Sequence, residues 1–336
     1  MAFANRFGWS LSREATFDDC RRRYYFHYYL SWGGWRSGAP PIAREAFKLK
    51  RLVSLPLWRG QLVHYITSLV LRSMKAKGRI PEKEIVIAYA LERFHAQFEF
   101  SRAKKYVSAP KKELERLNID WLALFEHEYD RAVSSATLEA IRGECVQGIE
   151  GLYASPVLGS IMETDRSTWD IEDLEAGTFS QHFDYGGVTV FVKTDFMFRG
   201  SDGALHIVDW KTNRRAGREA SAAEEEPRNA AVQLGVYGFY ATRILHEPVA
   251  SIRLLEVNLL DGGKSIEHAV GEDSIKRADE TLAAGIAKLS AMLVGRDTAR
   301  NEALPAPHFP KIENGSCRFC NFYRICKDEN YPNRLP

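Results

Sequence analysis

Two aspartates and a lysine near the middle of the chain have a spacing that could place them around one metal ion. Asp195 lies in VKTDFMF, and Asp209 and Lys211 lie in IVDWKT. If the two segments form a β-hairpin whose turn is centred on Asp202, the aspartates face each other, because each lies seven residues from that centre. Opposed like charges destabilise a sheet. A divalent cation such as Mg²⁺, which prefers carboxylate and water oxygens, would turn this repulsion into attraction.

Lys211 and Trp210 complete the pattern. Lys211 lies two residues beyond Asp209, so in a strand its ammonium projects from the same face as the metal. There it can hold a phosphate and offset the charge that develops in a transition state. Trp210 projects from the opposite face, and its backbone carbonyl is a further candidate ligand. The alternative is an exposed hairpin with charges on its wet face, but the apolar runs FVKTDFMF and LHIVDWK favour burial.

Three of the five cysteines lie near the C-terminal end with metal-ligand spacing. Cys317, Cys320 and Cys326 form C-x2-C-x5-C, and a C-x2-C pair brings two thiolates onto one metal or cluster. A fourth ligand must come from elsewhere. Spacing alone leaves an iron–sulfur cluster, a zinc ion and unrelated buried thiols open. Cys145 lies in a helical stretch and is expected to be a buried structural thiol.

Apolar periodicity predicts the elements that position these residues. Helices are expected at 57–76, through most of 82–151 with a break near Ala109 and Pro110, and at 230–245 and 273–294. Strands are expected at 179–183, 188–198, 205–210 and 251–260, with a hairpin turn at Gly186-Gly187 and a polar loop over 212–229. The last strand joins the sheet after a helical crossover. These elements indicate an α/β fold with a mixed central sheet flanked by helices.

Composition is that of an ordinary globular protein: 336 residues, 45% hydrophobic, 27% charged and a net charge of +2. This balance does not by itself indicate nucleic-acid binding. No apolar stretch would span a bilayer and the N-terminus does not resemble a signal peptide, so a cytoplasmic location is expected. The lack of G-x-G-x-x-G argues against a flavin or nicotinamide redox enzyme. Local basic clusters could still face a phosphate backbone: Arg21–Arg23, Lys48 with Lys50 and Arg51, Lys104 with Lys105, Lys111 with Lys112, and Arg214 with Arg215 and Arg218.

The order of these residues resembles the PD-(D/E)xK nuclease core in its RecB-like form. Asp195 and the run from Asp209 to Thr212 match the two strand motifs, with Asp as the second acid and Lys193-Thr194 before the first. His64 in GQLVHYITSLV takes the place of an upstream helical histidine. Downstream, VQLGVYGFYA matches a Gln-x-x-x-Tyr helix. The resemblance implies a metal site of His64, Asp195, Asp209 and the Trp210 carbonyl, with Gln233 and Tyr237 positioning Lys211 and the DNA strand.

The segment FDDCRRRYYFHYY resembles the N-terminal ligand segment of the iron–sulfur members of this branch. These include the AddB subunit of bacterial recombination nucleases and the CRISPR-associated adaptation nucleases, which have one early cysteine and three late ones. The resemblance implies a 4Fe–4S cluster, with zinc as the alternative, that closes a loop of nearly 300 residues. Its ligands would be Cys20, Cys317, Cys320 and Cys326.

The implied architecture is one nuclease domain over residues 1–336. Within it, a helical insertion spans 77–160, the catalytic sheet and the Gln/Tyr helix span 161–270, and a cysteine-rich tail over 304–336, poor in apolar anchors, packs with 12–35. The resemblance implies a Mg²⁺- or Mn²⁺-dependent deoxyribonuclease, an exonuclease on single-stranded or end-bearing DNA, acting in DNA repair, recombination or defence. The alternative is a DNA-binding iron–sulfur subunit of a larger helicase–nuclease or defence complex, with little activity alone.

Overall fold

The computed structural model describes residues 4–108, 121–172, 181–213 and 220–328, with side chains in the last range described from residue 232. The strands are β1 (Gly8–Trp9), β2 (Asp170–Ile171), β3 (Gln181–Tyr185), β4 (Val188–Val192), β5 (Phe196–Arg199), β6 (Leu205–Lys211), β7 (Ile252–Asn258) and β8 (Lys264–His268). The α-helices are α1 (Leu11–Asp19), α2 (Arg21–Tyr25), α3 (Pro41–Leu49), α4 (Leu55–Lys77), α5 (Lys83–Arg102), α6 (Phe125–Glu128), α7 (Ser135–Ala154), α8 (Pro156–Ser160), α9 (Ala220–Arg243), α10 (Glu272–Ser290) and α11 (Tyr323–Lys327). A π-helical turn, Phe26–Leu30, continues α2.

The strands form two mixed sheets, which confirms the predicted α/β fold. One sheet has the order β1-β4-β3, and the other has the order β2-β5-β6-β7-β8. The β3–β4 hairpin turns at Gly186 and Gly187, both with positive φ, as predicted. Strands β6 and β7 are parallel, because α9 crosses between them. The other neighbours in the five-stranded sheet are antiparallel.

The predicted strand at 188–198 is wrong as a single element. β4 ends at Val192 and belongs to the three-stranded sheet, whereas β5 begins at Phe196 and belongs to the five-stranded sheet. The apolar run on both sides of Lys193-Thr194-Asp195 conceals the break. Within it, the backbone N–H and the Oγ1 of Thr194 both donate to Oε1 of Gln181, at 3.2 and 2.6 Å. This buried pair fixes the point at which the chain changes sheets.

The predicted loop at 212–229 is also wrong in part, because α9 begins at Ala220. The alanines and glutamates of this stretch are strong helix formers, and together they outweigh the single Pro227. The helices predicted at 57–76 and 273–294 are confirmed, with bounds of 55–77 and 272–290. Several expectations lie outside the described residues: the break at Ala109-Pro110, Phe179, and the clusters Lys111-Lys112 and Arg214, Arg215 and Arg218.

Two hydrophobic cores lie on the two faces of the five-stranded sheet. On one face, Val208 and Trp210 pack with apolar residues of α4, α5 and α7. On the other, Leu205 and Ile207 pack with α9 and α10. Successive residues of β6 thus point to opposite faces, as pleating requires. The helices within 77–160 therefore cover one face of the sheet that carries Asp209, although the bounds of an insertion there stay a prediction.

A third core joins the two ends of the chain. Phe322 of the tail packs on Phe26, with ring centroids 5.6 Å apart, and Ile325 lies beside them. Phe309 is fully buried, and its carbonyl accepts from Nε of Arg22 at 2.7 Å. The expectation that the tail lacks apolar anchors is wrong, because a few widely spaced aromatic residues bury a large area.

Candidate metal centre and catalytic cleft

Three carboxylates lie side by side on neighbouring strands. The pairs from Phe196–Val208 to Arg199–Leu205 confirm the predicted hairpin register, and one further rung places Asp195 opposite Asp209. On its other side, the β2–β5 register places Glu172 opposite Asp195, and the Glu172 N–H donates to the Asp195 carbonyl at 3.0 Å. All three carboxylates are at most 9% exposed. Such a row of buried like charges requires cations.

Each carboxylate has its own nitrogen partner. Asp195 Oδ1 lies 3.3 Å from Nδ1 of His64 on α4, and its Oδ2 accepts from the backbone N–H of Trp210 at 2.7 Å. Asp209 Oδ2 lies 2.5 Å from Nζ of Lys211. Glu172 Oε1 lies 2.7 Å from Nζ of Lys193. The site is therefore already charge-compensated by its own side chains.

The environment moves the pKa values of the acids in opposite directions. Burial, together with the charge of Asp195, raises the pKa of Asp209 to about 6, against the opposing effect of Lys211. Burial also raises the pKa of Glu172, although Lys193 opposes it. Burial would raise the pKa of Asp195 as well, but His64 and the Trp210 N–H together hold it below its usual value. Opposed shifts among neighbouring groups are typical of functional sites.

Two residues of α9 tie the lysine to the acids. Gln233 accepts from Lys211 Nζ through Oε1 at 2.9 Å, and its Nε2 donates to Asp209 Oδ1 at 3.3 Å and to the Tyr237 hydroxyl at 2.7 Å. The Tyr237 hydroxyl in turn donates to the Lys193 carbonyl. Burial and the charge of Asp209 raise the pKa of Tyr237 far above its usual value, so it remains a donor. Because four residues separate Gln233 and Tyr237, one helix face presents both.

One cleft contains these groups. It is lined by His64, Lys193, Asp195, Asp209, Trp210, Lys211, Gln233 and Tyr237, together with Trp9, Ser10, Leu11 and Ser12 from the N-terminal segment. The residues predicted for the site from the sequence thus lie together, although their roles stay predictions. The indole of Trp210 lies in the core on the opposite face, as expected.

Glu172 is the candidate ligand that the sequence did not reveal. Among the described residues, His64, Glu172 and Asp195 form the one group whose ligand atoms all lie within 4.8 Å of one another. The acid follows a strand of only two residues, which gives no periodic signal. Only the register of β2 against β5 reveals its place beside Asp195. The two carboxylates and the imidazole of this group, with Asp209 opposite Asp195, form a donor set that fits a divalent cation such as Mg²⁺ or Mn²⁺.

The raised pKa of Asp209 gives a pH prediction. A cation needs this carboxylate ionised, so protons compete with the metal below about pH 6. His64 must also be neutral to bind a metal, and the charge of Asp195 raises its pKa although burial opposes this shift. We therefore expect the affinity for Ca²⁺ to begin to fall where His64 takes up its proton and to fall by tenfold or more for each pH unit below about 6. Without metal, the stability of the fold changes in the opposite direction. Because the folded protein holds the Asp209 proton more tightly than the unfolded chain, the free energy of unfolding falls as the pH rises from 3.8 to about 6. Calorimetric titrations across this range measure the binding, and an affinity that does not vary with pH would contradict the assignment.

Lys193 gives a second prediction. Replacing it with methionine leaves the buried Glu172 without its cation, at a cost of about 1 kcal/mol, since the lysine itself is half exposed. A bound divalent ion supplies the missing positive charge. Lys193→Met should therefore lower the melting temperature in EDTA and recover with Ca²⁺, while Lys193→Arg melts like the wild type in both. Equal losses with and without Ca²⁺ would count against a metal beside Glu172.

The four predicted cluster ligands also lie together. One pocket is lined by Cys20 after α1 and by Cys317, Cys320 and Cys326 of the tail. All four are free thiols, and burial raises the pKa of Cys320 to about 11. Cys145 is 1% exposed within the helical core, as predicted, and burial raises its pKa to about 12.

The sequence-family model of the PD-(D/E)XK nuclease superfamily matches residues 8–327, which is nearly the whole chain. The chain belongs to this superfamily. Membership implies a metal-dependent nuclease, and the acids, His64 and Lys211 of the cleft agree with that chemistry. No curated protein matches this nuclease. Among its described residues, no helix is long and apolar enough to cross a membrane.

Proposed function

We propose that the chain is a Mg²⁺- or Mn²⁺-dependent deoxyribonuclease, an exonuclease that hydrolyses single-stranded or end-bearing DNA. The observation that carries this proposal is the constellation of Asp195, Asp209 and Lys211 in one cleft, bridged by Gln233. The RecB-like resemblance supports DNA as the substrate. It also supports a role in DNA repair, recombination or defence in the cytoplasm, beside a helicase or another nuclease subunit.

The donors in the cleft divide into metal ligands and phosphate ligands. Asp195, Asp209 and His64 would hold the divalent ion, with Glu172 and the Trp210 carbonyl as further ligands. When bound, such an ion activates a water and offsets charge on the phosphate. Lys211 then binds a phosphate oxygen and stabilises the charge that builds up on it. Gln233 keeps the ammonium oriented, because its Oε1 accepts from Lys211 while its Nε2 holds Asp209.

A cleavage assay with matched substrates tests this proposal. The intact chain is incubated with linear single-stranded DNA, circular single-stranded DNA, blunt duplex and RNA, each in Mg²⁺, Mn²⁺, Ca²⁺ or EDTA. We expect Mg²⁺ or Mn²⁺ to support cleavage of linear DNA, with circles resistant, and Asp209→Ala to be inactive. Circles cut as fast as linear strands would show an endonuclease. DNA binding without cleavage in either metal would instead favour the non-catalytic subunit.

We further propose that the four cysteines hold a 4Fe–4S cluster. Tetrahedral Zn–S bonds of about 2.3 Å would place sulfurs about 3.8 Å apart. Among the described residues, no three of these thiols have all their sulfurs within 4.8 Å of one another. The four thiols do line one pocket, as the ligands of a single cluster must, and four thiolates are a ligand set that a 4Fe–4S cluster takes. This arrangement supports the iron–sulfur branch of the family.

A further inference from the structure

A row of aromatic rings, none of which lines the cleft, lies beside α3. Trp32 and Trp35 meet edge to face with centroids 4.9 Å apart, and Trp35 lies 5.6 Å from Phe47. Gly34 permits this approach, because a Cβ there would lie 2.2 Å from the Ala43 carbonyl oxygen and 2.6 Å from Phe47 Cβ. Trp35 is nevertheless 43% exposed. The glycine therefore brings an exposed indole against the helix instead of completing a core.

Two cations cover the end of this row. Nζ of Lys50 lies 5.5 Å from the centre of the Phe47 ring, and the guanidinium of Arg51 lies 5.5 Å from the same ring and 3.5 Å from that of Trp121. Within the part of the chain that the structure describes, neither cation has a carboxylate within 4.0 Å. Burial, and then the charges of Arg13 and Arg51, lower the pKa of Lys50. Two like charges over one ring, of which Lys50 is partly buried and Arg51 is exposed, form an environment that attracts an anion.

We propose that Trp35, Phe47, Lys50 and Arg51 form a docking surface for single-stranded nucleic acid, outside the catalytic cleft. Unpaired bases offer free faces that stack on the exposed ring of Trp35, while the phosphates between them meet Lys50 and Arg51 beside Phe47. A duplex hides those faces, and an acidic peptide lacks the regular alternation of planar rings and negative charges that a nucleic-acid strand has. The inference rests on the proposed function, because it describes how a nuclease substrate would be held before cleavage.

Fluorescence anisotropy with a labelled oligothymidylate tests the proposal. The measurements are made in EDTA, so that no cleavage occurs, over a series of salt concentrations. Lys50→Ala/Arg51→Ala should weaken binding at least about tenfold and reduce the salt slope by about 1.4, at about 0.7 for each phosphate contact. Trp35→Ala should weaken binding about fivefold to a hundredfold without changing the slope, and Trp35→Phe should recover part of the loss. The matched control is Lys276→Ala/Arg277→Ala, an exposed Lys–Arg pair on α10.

Several outcomes would overturn the surface. The first two are a wild type that does not bind the oligonucleotide and a Lys50/Arg51 double variant that binds with unchanged affinity. The third is an equal loss of affinity in the Lys276/Arg277 control. The fourth is a Trp35→Ala variant that loses as much affinity for a duplex as for the single strand. Thermal melts exclude misfolding. Failure of the proposed function looks different: if the wild type never cleaves DNA while these variants lose binding, the surface stands and the nuclease assignment fails. If the variants bind normally and the wild type cleaves DNA, the docking surface fails and the nuclease assignment stands.

Discussion

We expect Lys211→Ala to lower the rate of the proposed DNA cleavage by about 10²–10³-fold while the fold remains, which is the size expected when an oriented charge in a buried site is lost. The ammonium lies 2.5 Å from Asp209 and 2.9 Å from Gln233, so it is fixed before substrate arrives. Alanine removes the charge proposed to meet the phosphate but leaves the carboxylates of the candidate metal site. Arginine should not restore the rate, because its planar fork does not fit the position of a compact ammonium.

Single-turnover cleavage with Mg²⁺ measures this effect, and thermal melts in Ca²⁺ confirm the fold. The matched control is Lys264→Ala, since Lys264 pairs with Asp261 at 3.1 Å on the exposed edge strand β8. The control should cleave at the wild-type rate. Asp209→Ala should lose cleavage and Ca²⁺ binding together, whereas Lys211→Ala should lose cleavage alone. Undiminished cleavage by Lys211→Ala would remove this residue from the mechanism.

Sequence spacing predicts the strand-borne part of the site. Asp209 and Lys211 share a face because strands repeat every two residues, and equal distances from Asp202 give the correct register for Asp195. The position of Asp195 in a break between two sheets is not predictable in this way. Apolar residues continue on both sides of the break, so hydrophobicity alone reports one strand. The break depends on a long-range partner, the side chain of Gln181.

The features that the sequence does not predict depend on tertiary contacts. Glu172 becomes a candidate ligand only when β2 pairs with β5, and a two-residue strand leaves no pattern. Likewise, the anchoring of the tail depends on Phe309 and Phe322, whose partners lie almost 300 residues away in the N-terminal helices. The family resemblance predicts that the four cysteines lie together. Local sequence propensity contains no information about this long-range arrangement.

Cys320→Ser is expected to abolish the visible absorbance and the iron and sulfide content of anaerobically purified protein and to lower its melting temperature. Closing the loop from Cys20 to Cys317 contributes about 6 kcal/mol in the chain-entropy model. The observed loss should be smaller, because Phe309 and Phe322 still hold the tail after the cluster is gone.

None of the described residues lines both the catalytic cleft and the cysteine pocket, so Cys320→Ser should keep its Ca²⁺ affinity at temperatures well below its melting point. Cys145→Ala is the matched control, since it removes a buried thiol from the helical core and should reduce stability without changing iron content or colour. If the wild type contains stoichiometric zinc and no iron, the cysteines hold a single zinc ion and not a cluster. A coloured, equally stable Cys320→Ser protein would show that this thiol is no ligand. If Cys320→Ser loses Ca²⁺ binding together with its colour, the cysteine-rich tail also supports the structure of the cleft.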